Sequence, residues 1–123
     1  MTSVFHLAGR RILIAEDQLL LATMVEALVR DLGCEPVGPV PTAREACDLA
    51  QTDNLDGALL NVRLADGSII PAARVLAAKG VPMIFITGNP EEVEGLFDAP
   101  CLQKPYDAGE LKHAMLQAFL HDG

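Results

Sequence analysis

The fold is decided by a short stretch near the N-terminus, Arg11-Ile12-Leu13-Ile14-Ala15-Glu16-Asp17. Its apolar residues run without interruption, include β-branched isoleucines, and stop at a pair of carboxylates. Such a run is typical of a strand buried on both faces, as in a parallel sheet that helices cover. We therefore expect an α/β protein whose first strand ends just before residue 16.

The alternation of strand and helix patterns continues along the chain. Apolar residues at helical spacing from Gln18 to Leu32 predict the first helix, and Gly33 is placed to end it. Further patterns predict strands over 35–40, 56–61, 81–87 and 100–104, and helices over 42–51, 68–79, 90–97 and 107–120. The segment 90–97 is acidic and interrupted by Gly95, so we expect at most two helical turns there. This alternation predicts a parallel sheet with helices on both faces.

The composition restricts the classes of function. A length of 123 residues predicts a single domain, 1–123, and no apolar run approaches the roughly 20 residues that span a bilayer. The net charge of −8 and the absence of a Lys/Arg cluster argue against nucleic-acid binding. No secretory signal is visible, so we expect a cytoplasmic protein. The widely spaced Cys34, Cys47 and Cys101 are expected to be small buried apolar side chains.

Polar side chains follow four of the predicted strands: Glu16 and Asp17 the first, Asn61 the third, Thr87 the fourth and Lys104 the fifth. In parallel α/β sheets, ligands bind outside the carboxyl ends of the strands. Two carboxylates provide the oxygen ligands that Mg²⁺ prefers, and a hydroxyl and an ammonium group can hold phosphoryl oxygens. The alternative for Asp17 alone is that it stabilises the N-terminus of the first helix.

With these residues in place, the chain resembles the receiver domains of response regulators in two-component signalling. The resemblance rests on residues 14–17 (Ile-Ala-Glu-Asp), 56–67, 85–88 (Phe-Ile-Thr-Gly) and 103–106 (Gln-Lys-Pro-Tyr). It implies a flavodoxin-like, doubly wound five-stranded parallel sheet of order 2-1-3-4-5 with a short fourth helix. It also implies a stand-alone receiver of a phosphorelay, with Mg²⁺-dependent phosphoryl transfer from a histidine kinase or phosphotransfer protein to an aspartate.

The resemblance implies a metal site at the ends of the first and third strands. Asp17 would be a direct Mg²⁺ ligand, and Glu16 would act largely through metal-bound water. The backbone carbonyl of Arg63 would complete the site beside position 61, where this chain has Asn61. Since an amide carries no negative charge, we expect weaker Mg²⁺ binding than an aspartate would give.

The resemblance also implies a phosphoryl site and a switch. Thr87 would be the switch hydroxyl, and Lys104, followed by a cis bond to Pro105, would pair with a phosphoryl oxygen. An aromatic switch residue is usual three residues before this lysine, but the position holds Cys101. The resemblance therefore does not extend to switching by an aromatic side chain, and the segment 90–97 is our candidate for the signalling surface.

Asn61 occupies the phosphoacceptor position. A carboxamide has no anionic oxygen for in-line attack and turns amide hydrogens toward a site built for acceptors, so phosphorylation and dephosphorylation should be lost. One explanation is a natural pseudo-receiver that acts by binding alone. The other is an aspartate-to-asparagine replacement that locks the unphosphorylated state. The presence of all four other strand-end residues favours replacement.

Two other functions are compatible with parts of the pattern. The first is a phosphorylation-independent interaction module that forms a homodimer through the last helix, where Leu116, Phe119 and Leu120 would leave apolar surface exposed. The second is a Mg²⁺-dependent phosphatase or nucleotide-binding protein. The first strand-to-helix turn, residues 16–19, lacks a Gly-rich phosphate loop, which argues against the second.

Overall fold

The structure of the chain, a computed structural model, describes residues 7–120, so the predicted domain 1–123 extends beyond the described residues at both ends. One parallel sheet has the strand order β2-β1-β3-β4-β5. Its strands are β1 (Arg11–Ala15), β2 (Glu35–Val40), β3 (Gly57–Asn61), β4 (Met83–Thr87) and β5 (Cys101–Gln103). This order confirms the predicted fold class.

Four α-helices connect or follow these strands within the described residues: α1 (Leu19–Asp31), α2 (Ala43–Thr52), α3 (Ile70–Ala78) and α4 (Ala108–Phe119). A short antiparallel hairpin, which the sequence did not predict, pairs Arg63–Leu64 with Gly67–Ser68 directly after β3. None of the helices within residues 7–120 has the length and apolar character needed to span a membrane.

Local signals in the sequence fix several helix ends. Thr42 accepts a hydrogen bond from the backbone amide of Glu45, so it caps α2 as predicted. Asp107 and Glu110 form a capping box at the start of α4, with reciprocal side-chain to backbone hydrogen bonds. Gly33 follows α1 at φ 84°, a left-handed conformation that glycine adopts without a Cβ penalty.

The central strands separate two apolar layers, because successive side chains of a strand point to opposite faces. One layer packs α2 and α3 against the sheet and contains Leu13, Leu60, Phe85 and Leu76. The other packs α1 and α4 against the sheet and contains Ile12, Leu59, Ile84, Val29 and Met115. The sheet is therefore covered on both faces, and its polar residues lie at the strand ends.

The predicted fourth helix is the least regular part of the fold. Only Pro90–Glu92 is helical, as a single 3₁₀ turn, and the following residues to Leu96 form turns. Gly95 has φ 78°, which an α-helix does not allow. The Phe97 ring packs against Phe85 with ring centroids 5.3 Å apart and ties the segment to the core. The expectation of a short fourth helix is confirmed, and the element is a 3₁₀ turn.

Two predictions about apolar side chains are wrong. Phe119 was expected to leave apolar surface on the last helix, but it is fully buried and packs against Gly57, and Leu116 and Leu120 are partly buried. Cys101 was expected to be buried, but it is exposed at the edge of the sheet. In both cases the direction of the side chain depends on packing that the sequence pattern does not specify.

Candidate functional site

The carboxyl ends of β1, β3, β4 and β5 meet at one edge of the sheet and form a cleft of about 260 Å³. The backbone amide of Lys104 donates to the carbonyl of Thr87 at 2.9 Å, which brings these two residues side by side. Five of the predicted site residues line the cleft: Asp17, Asn61, Arg63, Thr87 and Lys104. The bond between Lys104 and Pro105 is cis, as predicted.

Glu16 lies beside this cleft and is buried, with 4% of its surface exposed. One carboxylate oxygen accepts a hydrogen bond from the backbone amide of Gln18 at 3.0 Å, and the other lies 4.0 Å from Nζ of Lys104. Burial raises the pKa of the Glu16 carboxyl, and the Gln18 amide and the Lys104 ammonium offset only part of this effect. Asp17, in contrast, is exposed at the mouth of the cleft.

Asn61 ends β3 and is 5% exposed. Its Nδ2 donates a hydrogen bond to the backbone carbonyl of Arg63 at 2.9 Å. The hydrogen bond thus links the acceptor position directly to the Arg63 carbonyl, which the resemblance implies to be a metal ligand. A carboxylate at position 61 has no hydrogen to donate, so this contact is specific to the amide.

The Thr87 hydroxyl is held on both sides. It donates to Oε1 of Glu92 at 3.0 Å and accepts from the backbone amide of Asn89 at 3.0 Å. The other oxygen of Glu92 accepts from Nε of Arg63 at 2.5 Å. Glu92 is a charged residue of the cleft that the sequence did not predict. It lies in an acidic segment with Glu91, and only the folded chain determines which of the two carboxylates points into the cleft.

Cys101 is not part of the cleft. It pairs with Phe85 at the beginning of β5, and it lines a separate, larger groove of about 1070 Å³ between β5 and α4. That groove is lined by none of the other predicted site residues, so the smaller cleft is the candidate functional site. The predicted switch position at Cys101 therefore lies away from the Thr87 hydroxyl.

The side chains of the cleft meet only part of the ligand preferences of Mg²⁺. Glu16 and Asp17 provide two carboxylates, but within residues 7–120 no group of three or more acidic, His or Cys side chains is arranged to hold a metal ion. The Arg63 carbonyl already accepts the amide hydrogen of Asn61. If the Asn61 amide were turned to present its oxygen, two acceptors would face each other unless a cation lay between them. The residues present therefore fit Mg²⁺ less well than a set with aspartate at position 61 would.

Comparison with known proteins gives relatives that cover most of the chain, although no family model matches it. The Phyllosphere-induced regulator PhyR of Methylorubrum extorquens is 35% identical over an alignment 113 positions long, which covers 87% of this chain and 42% of that protein. The chain thus spans less than half of this curated relative.

Solved structures extend the likeness to whole domains. SdrG of Sphingomonas melonis is 32% identical, with a TM-score of 0.75 and coverage of 96% of this chain and 100% of that one. The receiver domain of the sensor histidine kinase PA1611 of Pseudomonas aeruginosa is 28% identical, with a TM-score of 0.76 and coverage of 92% and 98%. That domain is described with a magnesium ion coordinated in its active-site cleft.

Proposed function

The chain belongs to the receiver domains of response regulators, and from this premise we propose that it is a single-domain receiver whose acceptor position cannot be phosphorylated. In this proposal residues 1–123 form the receiver of a phosphorelay, and a histidine kinase or phosphotransfer protein is its partner. The observation that carries the proposal is the hydrogen bond from Nδ2 of Asn61 to the Arg63 carbonyl. An amide donor therefore lies at the position where a receiver with aspartate has its nucleophilic oxygen.

The chemistry of the two side chains explains the block. An aspartate attacks phosphorus with an anionic oxygen, and the product is an acyl phosphate. An asparagine amide has no such oxygen, and its nitrogen lone pair is delocalised into the carbonyl. Thr87 and Lys104 would still be placed to hold the oxygens of a phosphoryl group, but no covalent bond would form at Asn61. The retention of these residues supports a form locked in the unphosphorylated state.

We also propose that Mg²⁺ binds more weakly here than in a receiver with aspartate. Asp17 would bind the ion directly, Glu16 through water, and the Arg63 carbonyl would have to give up its hydrogen bond to Asn61. When bound, the ion would supply positive charge to anionic oxygens in the cleft. The loss of one carboxylate and the engaged carbonyl both reduce the affinity.

A second candidate function is a phosphorylation-independent interaction module. Leu19 and Leu20, at the start of α1, are 80% and 86% exposed and lie next to Asp17 at the cleft. Large exposed leucines beside a site favour contact with another protein. The last helix offers less support for a homodimer than the sequence predicted, because Phe119 is fully buried.

The proposal is tested by intact-mass measurement after incubation with acetyl phosphate and Mg²⁺. The chain as it stands should gain no mass, whereas the Asn61→Asp variant should gain one phosphoryl group. Asn54→Asp is the matched control, because it makes the same chemical change at an exposed position outside the cleft, and it should remain unmodified. An inert Asn61→Asp variant would refute the proposal.

A binding measurement distinguishes the interaction module from the locked receiver. The partner kinase or phosphotransfer protein is titrated with the chain and with the Asn61→Asp variant activated by beryllofluoride. A locked receiver should bind differently from the activated variant. Equal affinities would favour the interaction module.

A further inference from the structure

Glu92 joins two residues on opposite sides of the cleft. Its Oε1 accepts the hydroxyl hydrogen of Thr87 at 3.0 Å, and its Oε2 accepts from Nε of Arg63 at 2.5 Å. The side chain is only 17% exposed, although it carries a charge. Each carboxylate oxygen thus has its own donor, one at the end of β4 and one just after β3.

The neighbouring acidic residues do not share this arrangement. Glu91 and Glu94 belong to the same segment and are exposed. Within residues 7–120, neither of their carboxylates makes a hydrogen bond or an ion pair. The contacts of Glu92 therefore do not follow from the acidity of the segment. They follow from the 3₁₀ turn Pro90–Glu92, which turns this one carboxylate back toward Thr87.

The contacts of Glu92 compete with those of an anion at position 61. A hydroxyl group has a single hydrogen, so Thr87 cannot donate to Glu92 and to a phosphoryl oxygen at once. Glu92 and Asn61 line the same cleft. An anion that enters beside Asn61 would also meet the negative charge of Glu92. It must displace this carboxylate before it can take the Thr87 hydroxyl.

We propose that Glu92 is a positioning residue whose carboxylate occupies the anion site of the cleft in the unphosphorylated state. There it holds the Thr87 hydroxyl and the Arg63 side chain in their present positions. This inference rests on the proposed receiver function, because the switch role of Thr87 belongs to it. Release of Glu92 then frees the hydroxyl for a bound anion, and it removes one of the contacts that hold the segment 88–97 in place. The signalling state of this chain is set by the position of one carboxylate as well as by position 61.

The first experiment examines the chain as it is, without metal or anion, by ¹H–¹⁵N NMR of Glu92→Gln and of the matched control Glu91→Gln. The Arg63 Nε–H resonance reports on the bridge to Glu92, and the Asn89 amide reports on the hydroxyl that it contacts. Both should shift in Glu92→Gln, with the Arg63 signal moving toward those of the exposed Arg44 and Arg74. Both should stay in place in Glu91→Gln. Equal shifts in the two variants would overturn the proposal.

The second experiment measures beryllofluoride affinity with Mg²⁺ in the Asn61→Asp background. Adding Glu92→Gln should tighten binding roughly three- to tenfold, because a neutral amide accepts more weakly from Thr87 and no longer repels the anion, and adding Glu91→Gln should change it less than about twofold. Equal affinities of the Glu92→Gln and Glu91→Gln double variants would refute the competition.

The two experiments also separate this inference from the proposed function. If Asn61→Asp binds no beryllofluoride at all, the receiver function fails. The NMR comparison, which uses no anion, then still decides whether Glu92 holds Thr87 and Arg63.

Discussion

Strands β3 and β5 lie on either side of β4 and end at the same cleft, yet they are packed very differently. All five residues of β3 are buried, and the strand pairs with β1 and β4. β5 has three residues, none of them fully buried, and within residues 7–120 it pairs with β4 alone. The position of Asn61 is therefore fixed by the core, whereas the position of Lys104 depends on an edge strand that follows an irregular segment.

It follows that the stability of the fold and the geometry around Thr87 and Lys104 depend largely on different parts of the chain. The chain around Asn61 cannot move without disturbing both apolar layers. The segment between Thr87 and Lys104 is held by fewer buried side chains, chiefly Val93 and the partly buried Phe97. Regions of this kind open at low free energy and are where conformational change is found.

The largest expected effect comes from a matched pair of leucines in the same apolar layer. Leu59 in β3 is buried, and Leu102 in β5 is partly buried against the same cluster. Leu59→Ala should lower the free energy of unfolding by about 3 kcal/mol, because it leaves a cavity in the core. Leu102→Ala should cost only about 1 kcal/mol, because fewer buried methyl groups are lost. Urea denaturation measures both values, and equal losses would contradict the contrast between the strands.

The next effect concerns the end of β3. Without Mg²⁺, Asn61→Asp should lower the free energy of unfolding by about 1–2 kcal/mol, because it removes the hydrogen bond to the Arg63 carbonyl and sets a buried charge near Glu16 and Asp17. Added Mg²⁺ should recover this loss. Asn54→Asp, made at an exposed position, should show neither change. Urea denaturation with EDTA and with Mg²⁺ measures the difference, and full stability of Asn61→Asp in EDTA would refute the structural role of the amide.

The buried strands of this fold could be predicted from sequence because their signals are local. The continuous apolar runs that end at Ala15 and Asn61 are enough to identify β1 and β3, and Thr42 is enough to place the beginning of α2. The proximity of the strand-end residues could also be predicted from sequence, because the carboxyl ends of parallel strands meet at a common edge of the sheet. The cleft lined by Asp17 and Lys104 agrees with that expectation.

The remaining features depend on contacts between distant residues. The inward turn of Glu92 depends on a 3₁₀ turn, and no local pattern distinguishes it from Glu91. The burial of Phe119 depends on the space left by Gly57, which is far away in sequence. The hairpin after β3 is only two residues long in each strand, too short for a periodic signal. Sequence patterns thus predict the layers of helices and strands. The directions of individual side chains, such as Glu92 and Phe119, are determined by packing.

The smallest expected effect tests whether the loop after β3 is as firmly held as the strand itself. Asp66, in the turn of the hairpin, accepts hydrogen bonds from the backbone amides of Ala43 at 2.6 Å and Arg44 at 3.1 Å, at the N-terminus of α2. These two hydrogen bonds lower the pKa of the Asp66 carboxyl below its usual 3.8, and the bond from Ala43 has the larger effect. The ionised form is therefore favoured by folding. It contributes stability above pH 3.8, and this contribution is lost as the pH falls through the lowered pKa.

Asp66→Asn should therefore be less stable than the parent chain at neutral pH, and the gap should close as the pH falls below 3.8. Asp48→Asn is the matched control, because Asp48 is exposed on α2 and its carboxylate accepts no hydrogen bond within residues 7–120. Its difference from the parent chain should stay small at every pH. Thermal unfolding followed by circular dichroism across this range measures both variants. A gap for Asp66→Asn that is the same at acid and neutral pH would show that the loop after β3 is not held by this carboxylate, and that the firm packing of β3 ends at Asn61.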